Sequence, residues 1–363
     1  MVAPKWKAAA LAVAISGGGI FALALVSGLL YEQTQRARDR EQYPQIGRSI
    51  DIGGRMLDID CAGTGHPVVI LESGANWSVN SAVHDPKTIF ANGGPRPGYS
   101  WVSIQRALAT LTTVCWYDRA GSGWSDLGPY PRDSASQARD LHALLRAAQV
   151  PPPYVLVAES SAALDARVYT GFYPSDVAGL VLVNWGDPAL LLNPRTNNGK
   201  RAQRIPQLIY HSQDAVAQLF NLIGLYRAGP VPPAPAPPKG LTAVEWNTIW
   251  FLTHSSKAVS ALMQDIASWR LSSAEARAAG NLGDRPLAVL CTENIAAPPE
   301  FIEEWTNAQS DLARLSTRGR QIAVGGDASD LLYDAPDVIV EAVRKVVAGV
   351  RTPVSAGSLP IEH

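Results

Sequence analysis

Charge of either sign is scarce in this chain of 363 residues: Asp, Glu, Lys and Arg together make up 17%, and the net charge is −1. Without a basic face nucleic acid is excluded as a partner, because phosphate recognition needs clustered Lys and Arg. Cysteine is rarer still, with only Cys61, Cys115 and Cys291. Each lies in an apolar, strand-like run and reads as a buried, inert core thiol. No Cys/His spacing suits zinc or a redox pair, so neither a metal nor another cofactor is expected. The odd count gives no disulfide framework, and a chain this long can bury roughly 75% of its unfolded surface without one.

What the sequence does have is one long hydrophobic run. Residues Ala8–Tyr31 read AAALAVAISGGGIFALALVSGLLY with no charge. As a helix these residues reach about 36 Å, enough for the hydrocarbon core of a bilayer. A secretory signal usually has an apolar stretch of only about 7–15 residues, and the Ala22–Ala24 motif here sits inside the run. The expectation is therefore an uncleaved, single-pass N-terminal anchor, with the lipid bilayer as partner of residues 8–31. Lys5 and Lys7 precede the run and Arg36, Arg38, Arg40 and Arg48 follow it, so charge does not orient it. Ala10, Ala14, Gly18 and Ala22 form a small-residue stripe that suits a helix–helix partner in the membrane.

A polar linker is expected from Glu32 to about Gln45. Beyond it, short apolar runs alternate with helical patterns. Strands are predicted at Met56–Cys61, Val68–Glu72, Thr113–Asp118, Tyr154–Ala158, Gly179–Asn184, Leu287–Thr292 and Gln321–Gly325. Unbroken apolar runs suit parallel strands buried on both faces. The clearest helix starts at Ser134, where Ser134 and Gln137 fit a capping box. The alternation predicts a doubly wound, mostly parallel α/β sheet. It breaks between Asp187 and about Asp284, a helical stretch with Tyr210, Phe220, Trp246, Trp250 and Phe251 and the proline-rich run GPVPPAPAPPKG, read as a stiff surface loop. The expected organisation is an anchor and linker (1–46), a core in two parts (47–186 and 285–350), a helical cap between them (187–284) and a tail (351–363).

The run YVLVAESSAALDARVYTGFYPSDVAGLVLVN describes a strand, a tight turn with a serine at its tip, and a helix. It resembles the nucleophile elbow of the α/β-hydrolase fold family, whose pattern is G-x-S-x-G. Ser160 falls at the nucleophile, with Ala158 and Ala162 in place of the glycines. YDRAGSGWSD (Tyr117–Asp126), ARLSTRGRQIAV and DAPDVIVEAVRKVV resemble further segments of a subgroup of that family. The resemblance implies the α/β-hydrolase fold with an inserted cap. It also implies an oxyanion hole from the Ser161 amide and an amide of the SGAN loop, at Ala75 or Asn76.

The rest of the implied triad is degraded. A serine hydroxyl needs a base to take its proton. The family's histidine falls at Ser329, within GGDASDLLYDAP, which contains no histidine. Asp327 and Asp330 are weak candidates, since an ordinary carboxylate has a pKa near 4. His84, after the oxyanion loop, is the best substitute base. His66 and His142 read as a turn residue and a solvated helix residue, and His211, His254 and His363 fit no better. The triad acid falls at Asn184, an amide, or one strand later at Glu293. Glu159 stands where the elbow usually carries histidine. The expectation is a membrane-anchored family member that has lost conventional hydrolysis and acts in ligand binding or as a scaffold, with a small apolar ligand under the cap. The alternative is an active serine esterase or amidase using Ser160 with a non-standard base.

Overall fold

The computed structural model describes residues 5–75, 93–184, 219–228, 232–293, 299–326 and 330–352, with side chains described from residue 16 onwards. Eight strands form one sheet: β1 (Arg48–Asp51), β2 (Met56–Ala62), β3 (Val68–Glu72), β4 (Val114–Tyr117), β5 (Tyr154–Glu159), β6 (Val177–Val183), β7 (Leu287–Thr292) and β8 (Gly319–Val324). Their spatial order is β1-β2-β4-β3-β5-β6-β7-β8. The β1–β2 and β2–β4 pairs are antiparallel, and every later pair is parallel. The central runs VVILE, YVLVAE and LAVLCT are buried throughout, because helices cover both faces of a parallel sheet. The seven predicted strands are present with ends shifted by a residue or two. The short polar β1 carries no apolar alternation and was not predicted.

Helices α2 (Val102–Leu108) and α9 (Pro336–Arg351) pack in one layer, with Ile104, Leu108, Ile339 and Val343 among its buried side chains. Helices α3 (Ser134–Ala147) and α4 (Ala162–Phe172) pack in the other. The predicted capping box on α3 is replaced by a simpler cap. Asp133 is the N-cap and accepts from the Ser136 amide at 2.8 Å. Ser134 lies one residue inside the helix and donates to Asp165. An aspartate is as good a cap as serine, so the earlier residue serves.

Cysteine needs a correction. Cys61 and Cys115 face each other in the β2–β4 register and form a disulfide, with S–S at 2.04 Å. Their separation of 54 residues hid a pairing that only the sheet creates. Cys291 is a buried free thiol, as expected.

The linker differs as well. Helix α1 (Lys5–Gln42) runs through Glu32 and ends at Gln42. Its last turns are tied to the body. Arg227 bonds Glu32 and Asp39, Ser256 donates to Glu32 at 3.0 Å, and Tyr43 stacks on Phe251 at 4.1 Å. Its upstream half projects: Ile20, Phe21, Leu23, Val26 and Leu30 are each more than half exposed. Among the described residues no helix is long and apolar enough to cross a membrane. The side chains of residues 8–15, the first third of the expected span, lie outside them.

Between β6 and β7 the described residues form α5 (Ala243–Thr253) and α6 (Ser256–Ala278). The proline-rich run is not a free loop. The carbonyls of Pro232 and Pro235 accept the indole N–H groups of Trp250 and Trp246, which strap it along α5. Two of the insertion's aromatics take part in packing: Trp246 meets Tyr333 edge to face, and Phe251 takes the Tyr43 stack. Tyr210 lies outside the described residues. Helix α6 reaches back along the body, where Ser268, Ser272 and Glu275 accept the amides of Arg132, Ser134 and Ala135. Helix α7 (Pro299–Ala313) and the short α8 (Leu331–Asp334) flank β8.

Candidate functional site

Ser160 sits at the tip between β5 and α4 with φ = 54°, a left-handed conformation that a non-glycine residue adopts only where its surroundings impose it. Its amide donates to Val183 at 2.9 Å, which pins the turn to the neighbouring strand. Ala158 and Ala162 are fully buried. Gly74 shows why small residues are needed around them: a methyl group on it would stand 2.4 Å from the Glu159 carbonyl oxygen and 2.6 Å from the Ser161 nitrogen. The loop after β3 therefore closes directly on the elbow.

That closure occupies a predicted oxyanion donor. The Ala75 amide donates to Ser161 Oγ at 2.9 Å, inside the protein. The residue after the nucleophile thus supplies an acceptor where a reacting oxygen would need a donor free. Asn76, the other candidate donor, lies outside the described residues.

The residue that dominates this corner is Arg96, which the sequence did not single out. It is buried, donates to Glu159 Oε1 at 3.2 Å and Asp330 Oδ1 at 3.3 Å, and lies over the Tyr333 ring at 5.1 Å. Burial works against its charge, but Asp330 and Glu159 hold its pKa well above the usual value. Glu159 is pushed up to about 7, chiefly by burial, with Arg96 opposing and Asp330 adding to the rise. The loop after β8 therefore delivers Asp330 to a guanidinium. A signal for Arg96 did exist: GGPRPGYS places one cation in an otherwise uncharged, turn-rich stretch. Only the fold reveals its partners, 63 and 234 residues away.

Among the described residues, the other predicted site residues have their own partners or are exposed. Asn184 accepts from the Thr292 amide at 3.1 Å and bridges β6 to β7. Glu293 is exposed at the end of β7. His142 is not a solvated residue: it is half-buried and stacked on Tyr173 at 3.8 Å. His254 Nδ1 lies 2.7 Å from the Trp250 carbonyl. His66 is exposed in the turn before β3. Ser329, Asp327, His84, His211 and His363 lie outside the described residues.

The motif YDRAGSGWSD is accounted for residue by residue. Tyr117 donates to Glu72 at 2.5 Å, and Asp118 accepts the amides of Gly98 and Trp124. Arg119 bridges Asp165 at 3.0 Å and Asp265 at 2.8 Å. Ser122 donates to the Arg96 carbonyl, Trp124 to that of Tyr43, and Asp126 accepts the Met56 amide. At Gly123 a methyl would overlap the Asp118 carboxylate, so glycine is obligatory. The motif is the joint between β2, β4, α4, α6 and the end of α1.

Comparison with known proteins agrees with this architecture. The family model described as alpha/beta hydrolase fold matches residues 89–220. An uncharacterized vacuolar membrane protein of Saccharomyces cerevisiae is 30% identical over 142 residues, which cover 38% of this chain and 21% of that protein. An AB hydrolase superfamily protein of Gibberella zeae is 30% identical over 27% of this chain and 32% of its own length. The chain thus spans well under half the length of either relative. Among solved structures, the epoxide hydrolase CorEH matches with a TM-score of 0.56 at 16% identity, covering 84% of this chain and 99% of that one. A thermophilic esterase from Thermogutta terrifontis matches with a TM-score of 0.52 at 18% identity, covering 85% and 100%. At such identities the likeness is one of fold.

Proposed function

We propose that this chain, which has the fold of the α/β hydrolases, is a membrane-anchored member of that family whose Ser160 site has given up conventional serine hydrolysis for binding. The observation that carries this reading is Arg96. It ties down the carboxylate beside Ser160 and the carboxylate of the loop after β8. A buried guanidinium cannot take a proton from a serine, and its partners remain engaged as its counter-charges. With the Ala75 amide given to Ser161 Oγ, both halves of acyl-transfer chemistry, base and oxyanion donor, are compromised. Loss of triad members typically leaves only about 10³–10⁴-fold catalysis over water. Ser329 at the family's histidine position agrees with this, as does Asn184 at the first of its two acid positions, the second being held by Glu293. The ligand would be small and apolar, held under a cap formed by residues 187–284.

The test is turnover of aryl esters by the full chain in detergent. The wild type should be little faster than Ser160→Ala, and an activated phosphonate should label Ser160 slowly. A fast rate that vanishes in Ser160→Ala overturns the reading. One observation favours the second reading, an active enzyme with an unusual base: the Glu159 carboxyl, pushed up to about 7, is neighbour to the serine. In that case Glu159→Gln abolishes the rate, and the pH profile has its limb near that value.

The anchor belongs to the same proposal. Ile20, Phe21, Leu23, Val26 and Leu30 project without protein partners among the described residues, an arrangement that suits lipid better than water. The Cys61–Cys115 disulfide favours a soluble domain on an oxidising side of that membrane. The chain should stay in the membrane fraction through an alkaline wash, and Cys61 and Cys115 should resist alkylation until reduced. Release by salt alone refutes the anchor.

A further inference from the structure

A cavity of about 210 Å³ lies away from the Ser160 corner, where α1 meets the body. Its lining includes Arg36, Arg40, Tyr43, Trp124, Phe251 and Lys257. It shares no residue with the Arg96, Glu159, Ser160, Ser161 and Asp330 cluster.

The charges there are unevenly matched. Glu32 takes both Arg36 and Arg227, and Asp39 also takes Arg227. Arg40 and Lys257 have no carboxylate within ion-pair distance among the described residues. Lys257 donates instead to the Ser125 carbonyl at 2.6 Å. Its ammonium is pushed down to about 8, first by burial; Arg36 and Arg40 press in the same direction, against Asp118 and Asp126. Four cations, Arg36, Arg40, Arg227 and Lys257, therefore face three carboxylates, Glu32, Asp39 and Asp126, in one half-enclosed space, and the excess positive charge at Arg40 and Lys257 is what an anion would relieve.

On the span side of Glu32, which lines the cavity, Leu30 and Tyr31 of α1 are exposed, as are Leu219, Leu222 and Leu225 of the insertion, although none of the five lines the cavity itself. The two segments are in close contact, since a methyl group on Gly28 would stand 2.8 Å from Ile223. Arg36 and Arg40 follow Tyr31 by five and nine residues, about 8 and 14 Å along the helix axis. The polar layer of one leaflet is about 5–8 Å deep and begins where the span ends, so Arg36 stands at its outer edge and Arg40 about 6 Å beyond, each reaching the phosphate by extending its long side chain back towards the span.

We propose that this cavity holds the phosphate head group of an anionic phospholipid, with Arg36, Arg40 and Lys257 around the phosphate and the acyl chains along Leu30, Leu222 and Leu225. The inference rests on the anchored reading, because only a span ending near Tyr31 brings the cavity to the level of the lipid phosphate.

The test uses the full chain in a neutral detergent, with short-chain phosphatidylglycerol, phosphatidylcholine and inorganic phosphate as probes. Native mass spectrometry should show one phosphatidylglycerol per chain. The same lipid should protect Lys257 from an amine-acylating reagent, and phosphatidylcholine should do neither. Arg40→Gln with Lys257→Gln should weaken phosphatidylglycerol at least tenfold while the circular dichroism and thermal midpoint stay close to wild type. Lys257→Arg should retain binding, which separates a role for charge from one for packing. Inorganic phosphate binding as well as the lipid would overturn the commitment to a lipid. Retention of the lipid by the double variant, or no binding at all, would overturn the site. Alkaline extraction of the same preparations reads the anchor independently, so an integral protein without lipid binding refutes the cavity alone.

Discussion

Arg96 and Arg119 are both buried arginines that each bridge two carboxylates, yet they sit in different settings. Arg119 joins Asp165 and Asp265, and all three side chains are at most 7% exposed. Its partners are further satisfied by Ser134 and Gln137. Arg96 joins Glu159 to Asp330, whose side chain is 31% exposed. Arg119 locks α6 onto α4 beneath the elbow and lies in a motif legible in the sequence. Arg96 lies where a hydrolase keeps its chemistry, and nothing in its local sequence names its partners. The same interaction type can thus be a fixed, enclosed strut or, on the proposed reading, a half-exposed clamp on the carboxylates beside Ser160, and the surroundings decide which.

The largest effect should come from breaking the enclosed cluster. Arg119→Met strands Asp165 and Asp265 without their cation. Removing one partner of a buried pair costs about 3–5 kcal/mol. For a chain of this size that corresponds to roughly 4–8 °C in thermal midpoint. Arg96→Met should cost less, about 2–3 kcal/mol, because Asp330 can turn to water and Glu159 can take up a proton. Thermal unfolding of the two variants at neutral pH checks the order. Equal losses would erase the distinction between strut and clamp.

Legibility followed the same divide. The parallel strands were readable because their apolar runs are local, and the elbow because strand, serine and helix adjoin in the chain. The disulfide, Arg96 and the helical continuation of α1 to Gln42 were not. Each depends on residues far apart: Cys61 meets Cys115 through the β2–β4 register, Arg96 meets Asp330 across most of the chain, and the polar turns of α1 find Arg227 and Ser256. The segment Glu32–Gln42 reads as linker because it is polar all round, and its partners come from the inserted helices. A truncation that keeps the fold should therefore begin before Glu32.

pH sharpens the comparison next. Burial, the largest cause in each case, raises Glu72 to about 8, Glu159 and Asp58 to about 7, and Asp118 and Asp165 to about 6. Their ordinary values are 4.5 for Glu and 3.8 for Asp. Between ordinary and raised value the folded state binds more protons than the unfolded one, so stability falls as pH rises through that interval. The thermal midpoint should drop by several degrees between pH 5.5 and pH 8.5. In Arg96→Met the cation that opposes the rise of Glu159 is gone, so the decline should extend to higher pH. A midpoint that rises across this range would mean these carboxyls are charged at little cost.

The smallest effect concerns the donor beside Ser160. Ser161→Ala removes the acceptor of the Ala75 amide. A buried N–H left without its partner costs on the order of 1 kcal/mol, or about 2 °C here. On its own the change should leave aryl ester turnover as low as in the wild type, because Arg96 still holds the carboxylates and no base has been added. Its value appears in combination. Ser329→His places an imidazole at the family's base position, and general base catalysis usually contributes about 10²–10⁴-fold. With Ser161 Oγ still on the Ala75 amide, the oxyanion would find only the Ser161 N–H. Freeing that amide restores a second donor, and one such donor is worth about 10²–10³-fold in an intact enzyme. Ser161→Ala with Ser329→His should therefore exceed Ser329→His by at least tenfold, and Ser160→Ala should abolish the gain. If the double variant is no faster than Ser329→His, then the hydroxyl of Ser161 is not what keeps the donor from a reacting oxygen, and the proposed loss of hydrolysis would rest on Arg96 and the absent histidine alone.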